Sequence, residues 1–134
     1  MHDKKRIAVF GAGGIGGVVG GMLSKAGHDL TLIDTWHEHI SEIQKNGLEV
    51  TNQDKVHLCK PNAIHLNHLQ QIKEKFDIGI IAVKSYDTEW VTHALKDYVK
   101  DDGYFVDFQN GINDLKVAEI VGKEKTLGCV ILIS

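Results

Sequence analysis

Residues 10–17 read FGAGGIGG, directly after the apolar run IAVF. Glycine loses more conformational freedom on folding than any other residue, so five glycines in eight positions imply a backbone task. Gly11, Gly13 and Gly16 have the spacing G-x-G-x-x-G, between a strand-like run and a stretch of helical period. The first permits a sharp turn, the second lets main-chain N–H groups approach a diphosphate, and the third brings helix close to strand. With Ala12, Gly14 and Ile15 between them, they make a donor-lined loop at the positive end of a helix dipole. Asp34 closes the next strand-like run, 21 residues beyond Gly13, where a carboxylate can accept ribose hydroxyls. These seven residues are expected to bind a dinucleotide. The plainer alternatives are a structural glycine turn and an aspartate that caps the following helix.

Asp34 bears on which dinucleotide. A carboxylate accepts both ribose hydroxyls of NAD but repels the 2′-phosphate of NADP, and the following Thr-Trp-His-Glu offers no arginine. NAD(H) is therefore favoured on chemistry alone.

These residues need a scaffold that alternates strands and helices. Lys5–Phe10, Asp29–Asp34, Asp77–Val83, Tyr104–Phe108 and Thr126–Ile133 read as strands, the third apolar enough to be central. Helical spacing appears over Gly14–Lys25, Glu38–Asn46, Asn67–Lys75, Thr88–Val99 and Asn113–Val121, with Gly27 and Gly47 as stops for the first two. Leu48–Thr51 and Lys55–Cys59 suggest a hairpin at the sheet edge. The alternation predicts an α/β fold: a doubly wound, Rossmann-type, mostly parallel sheet with helices on both faces.

Two further residues fall at the carboxyl edge of that sheet. Lys84 ends the central strand, where an ammonium could bond ribose or phosphate oxygens or attract a carboxylate substrate. Asn110 follows the next strand, and its amide can both donate and accept. A solvated lysine and an Asn-Gly turn are the plainer readings.

Composition bounds the rest. The 134 residues suit one domain, expected over 1–134, with 43% hydrophobic residues, 25% charged residues and a net charge of −3. Basic residues are scattered apart from Lys4, Lys5 and Arg6, which argues against a nucleic-acid partner. The uncharged stretch Ile7–Leu23 has seven glycines in 17 residues, a poor signal peptide and a poor membrane span. A cytoplasmic location is expected. Cys59 and Cys129 lack a CxxC partner and read as buried and reduced. His37, His39, His65 and His68 lack ligand register and read as solvated, so no metal is expected. Trp90, Leu95 and Tyr98 read as core packing.

Three stretches in combination resemble the amino-terminal domain of the ketopantoate reductase family: FGAGGIGGVVGGMLSKAGHDLTLID, AVKSYDT at 82–88 and FQNGIND at 108–114. The resemblance runs through essentially the whole chain. It implies a nicotinamide-dependent reduction of a 2-keto acid, ketopantoate to pantoate, with NADP(H) as the family's alternative coenzyme. It also implies that Lys84 and Asn110 line the cleft between cofactor and substrate. The proton-donating lysine and a substrate-holding glutamate would come from a helical second domain, expected after residue 134, so no catalytic residue is assigned within this chain. The apolar ending LGCVILIS would leave an unpaired edge, which suggests a piece of a longer enzyme and leaves room for self-association. The competing reading is an NAD-sensing regulatory domain of a potassium-transport system, which needs neither the lysine nor the asparagine.

Overall fold

The computed structural model describes residues 4–52, 54–83, 87–108 and 113–128. Strand β1 (Arg6–Phe10) runs into helix α1 (Gly14–Lys25), strand β2 (Asp29–Asp34) and helix α2 (His37–Asn46). A hairpin of β3 (Leu48–Asn52) and β4 (Lys55–Cys59) precedes β5 (Asn62–His65) and β6 (Phe76–Ile81). Helix α3 (Thr88–Leu95), strand β7 (Val99–Asp107), helix α4 (Asn113–Val121) and strand β8 (Thr126–Gly128) follow.

Six strands pair in the order β5-β2-β1-β6-β7-β8, every neighbouring pair parallel. Alternation along β1 shows why helices cover both faces. Ile7 and Val9 pack with Ile40 and Ile43 of α2 and Val19 and Leu23 of α1. Ala8 and Phe10 pack with Val91 and Leu95 of α3 and Val117 of α4. The doubly wound parallel sheet expected from the sequence is the fold observed.

Strand order reverses between β1 and β6, so the two strands part company above their carboxyl ends. Such a switch point is where open α/β sheets bind ligands. Backbone bonds continue past the strands here: Gly11 N–H donates to Ile33 O at 2.8 Å and Ala82 N–H to Phe10 O at 2.9 Å.

Several expectations need correction. The hairpin is a separate two-stranded antiparallel sheet, not an edge of the main one. It packs on α1 at the bare Gly21, where a Cβ would lie 2.8 Å from Val50; Gly20 faces β2 instead, a Cβ there lying 2.6 Å from Leu32. The outer strand beside β2 is instead β5, which the sequence reading left out. The helix expected over Asn67–Lys75 is a 3₁₀ segment, Leu66–Gln71, and the one over Thr88–Val99 gives way after Leu95 to a 3₁₀ turn at Lys96–Tyr98. Strand β7 starts at Val99, earlier than expected, with a register break between its pairings to Phe76 and Ile78. Trp90 is 40% exposed, although its ring meets Phe10 edge-on at 5.7 Å. Cys59 is buried and free; Cys129 lies outside the described residues.

The amino edge of the sheet is closed by charge. Asp77 accepts the Arg6 backbone N–H at 2.8 Å and the Lys100 ammonium at 2.9 Å, while the Arg6 guanidinium pairs with Asp29 at 2.8 Å. A hollow of about 510 Å³ opens there, but Asp29 pairs with Arg6 and Asp77 with Lys100, and it faces away from the switch point. No helix among the described residues is long and apolar enough to cross a membrane.

Candidate functional site

The glycine turn lies at the switch point. Gly11 has φ +109°, and a Cβ there would lie 2.5 Å from Ala82 O, so the turn out of β1 admits no side chain. A Cβ on Gly16 would fall 1.7 Å from Gly11 O, which ties the first turn of α1 to the end of β1. Gly13 and Gly14 differ from both. A Cβ at either would meet nothing within 4 Å, and both residues are exposed. Protein packing does not require glycine at these two positions, and the bare main chain at the start of α1 leaves room for a ligand to come close.

Asp34 lies beside this turn. Its Oδ2 accepts the Ala12 N–H at 2.7 Å and its Oδ1 accepts the Trp36 N–H at 3.0 Å. The second bond turns the chain towards α2, yet Asp34 does not cap that helix, whose N-cap is Trp36 without a side-chain cap hydrogen bond; the first reaches across to the fingerprint. One carboxylate makes both bonds, and each oxygen keeps acceptor capacity. Ala12 is buried and Ile15 half-buried.

A cleft of about 370 Å³ runs from the turn (Ala12, Gly13, Gly14) past Trp36 and His39 to Leu48 and Glu49 of β3. No lysine or arginine is among its lining residues, and the acid Glu49 is. Trp36, His39 and Glu49 were missed as site residues. His39 is half-buried rather than solvated: its Nε2 lies 2.8 Å from Ala12 O and its ring stacks on Trp36 at 4.8 Å. His65 is also tied down, with Nε2 at 2.9 Å from Thr35 O and Nδ1 accepting the Asn67 N–H. His37 and His68 are exposed as expected. Among the described residues no group of histidine, cysteine or acidic side chains could hold a metal ion. Lys84 and Asn110 lie outside the described residues; Ala82 and Phe108 stand at the carboxyl ends of β6 and β7 that lead to them.

Known proteins share this fold. A 2-dehydropantoate 2-reductase from Pyrococcus horikoshii is 35% identical over 119 residues, covering 88% of this chain and 37% of that protein. The solved structure of a PanE/ApbA family ketopantoate reductase from Ralstonia eutropha JMP134 superposes with TM-score 0.78 at 26% identity, over 96% of this chain and 41% of that one. D-mandelate dehydrogenase, solved with NADH and anilino(oxo)acetate, gives 0.77 at 26% identity over 90% and 38% of the two chains. The chain thus spans little more than a third of the curated relatives it matches, 37% of one and 39% of another. These relatives favour the reductase reading over the potassium-transport alternative. The model of the family described as ketopantoate reductase PanE/ApbA matches residues 7–134, and the chain belongs to that family.

Proposed function

We propose that this chain is the coenzyme-binding part of an NADH-dependent 2-keto-acid reductase, with ketopantoate as the substrate suggested by its relatives. One observation carries the reading: Gly13 and Gly14 present bare main chain to open space at a helix start, beside the Asp34 carboxylate bound to the same turn. The N–H groups of the turn bind diphosphate oxygens, and the helix dipole adds to the attraction. Asp34 accepts the hydroxyls of the adenosine ribose. The same carboxylate, with Glu49 near and no lining cation, repels a 2′-phosphate, which supports NADH over NADPH.

A bound nicotinamide coenzyme would supply the hydride that reduces the keto carbon. The chain's part is to orient it. By family resemblance, Lys84 and Asn110 hold the substrate carboxylate or hydroxyl at the carboxyl edge of β6 and β7. A helical domain outside residues 1–134 contributes the proton donor in the same proposal. A cytoplasmic setting completes the reading and rests on the stretch Ile7–Leu23, too rich in glycine for a signal peptide.

Fluorescence titration with NADH and NADPH tests it. Saturable binding of NADH, tighter than NADPH, is expected. Tighter NADPH binding would refute the preference, and no binding of either would refute the coenzyme site.

A further inference from the structure

The ends of the glycine turn are wedged against main chain, while its middle is held by the buried Ala12 and by the Gly17 N–H, which donates to Gly13 O at 2.7 Å. Gly11 and Gly16 are wedged against Ala82 O and Gly11 O, whereas the Cβ directions of Gly13 and Gly14 meet nothing. The peptide group joining Ala12 to Gly13 carries the N–H that would face a ligand, and its orientation is constrained further by two side chains. Two side chains grip Ala12. Asp34 accepts its N–H at 2.7 Å, and His39 Nε2 lies 2.8 Å from its carbonyl oxygen. A carbonyl only accepts, so this contact requires the proton on Nε2. In a trans peptide the carbonyl and the next N–H point in opposite directions. Holding Ala12 O against α2 thus turns the Gly13 N–H away from α2. Trp36, 59% exposed, stacks on the imidazole with an interplanar angle of 28° and limits its rotation.

We propose that His39, braced by Trp36, is a positioning residue that sets the main-chain donors of the coenzyme turn before ligand arrives. The proposal rests on the coenzyme-binding reading and adds a group that lines the same cleft and acts through the Ala12 peptide. Binding to a pre-ordered turn avoids ordering it at the moment of binding.

The test compares the protein with His39→Ala and His39→Gln, whose amide can donate from nearly the same point as Nε2. Calorimetric titration with NADH and with ADP-ribose is paired with ¹H–¹⁵N spectra of the Gly13 and Gly14 amides without ligand. His39→Ala is expected to weaken both ligands about 3- to 10-fold, the scale of one hydrogen bond, and to shift or broaden both amide signals. His39→Gln is expected to restore affinity to within about twofold. Unchanged affinity and amide signals in His39→Ala, or a glutamine variant as weak as the alanine one, would overturn the proposal. If His39→Ala fails to fold, Trp36→Ala must shift the same amides without ligand; unshifted amides there would overturn it too, whatever happens to affinity, since Trp36 also lines the cleft. Failure of the unaltered protein to bind either ligand would sink the coenzyme reading instead, while the ligand-free amide signals still decide the role of His39.

Discussion

Asp34 Oδ2 accepts the Ala12 backbone N–H at 2.7 Å, a bond between the carboxyl ends of β2 and β1 that span 22 residues of sequence. The carboxylate is half-buried and also receives the Trp36 N–H. Removing it leaves two main-chain donors without their acceptor. Asp34→Ala should therefore lower stability by about 1–3 kcal/mol and narrow the advantage of NADH over NADPH. Asp34→Asn keeps an acceptor for Ala12 but loses the charge. It should retain most of the stability while discriminating less against NADPH. Thermal melts and paired coenzyme titrations separate the two effects.

The amino edge gives a pH signature. The Arg6 backbone N–H first, then the Lys100 ammonium, hold the Asp77 carboxyl below its ordinary value of 3.8. A depressed folded value means that the ionised form stabilises the fold. That contribution is complete above 3.8 and fades as pH falls through the lower folded value. Lys100 is raised above 10.5 by Asp77, so its share is complete below 10.5 and is lost as pH rises through the higher folded value. Both groups are solvent-facing, and the effect is accordingly modest. Asp77→Asn should lower Tm by about 1–4 °C at neutral pH. The gap to the unaltered protein should close as both are melted at progressively more acidic pH below 3.8.

Legibility in the sequence followed the range of the deciding interaction. Helix α1 and strand β2 have the bounds that local periodicity and Gly27 predict. Gly27 sits at φ +100°, and the Ala26 and Gly27 N–H groups close the last turn. Strand β5 was hidden because four residues after Pro61 are too few for a pattern, and its strand identity comes from pairing with β2. The early start of β7 was hidden by Lys100, Asp101 and Asp102, charges tolerated at the sheet's amino edge because Lys100 finds Asp77. In the site, the fingerprint and Asp34 were readable because side-chain type itself carries the chemistry. His39 was not: its partner is a main-chain carbonyl 27 residues away, and a carbonyl has no letter in the sequence. The aromatic spacing Trp36-x-x-His39 was the one available hint.

The glycines supply the sharpest separation of folding from binding. A methyl at Gly16 would sit 1.7 Å from Gly11 O and 2.9 Å from Gly11 C, both main-chain atoms that cannot swing aside. Gly16→Ala must displace α1 from β1, at a cost of about 3 kcal/mol or more. A methyl at Gly13 meets no protein atom within 4 Å, and its φ of −77° suits any residue. Its only folding cost is that of alanine at a helix N-cap, about 1 kcal/mol or less. It would, however, project into the space through which a diphosphate reaches the main-chain donors. Gly13→Ala should melt within a few degrees of the unaltered protein, yet bind NADH on the order of tenfold more weakly. Full affinity in a folded Gly13→Ala protein would mean that no phosphate approaches this turn. A stable Gly16→Ala protein would mean that α1 does not lie on β1 as described.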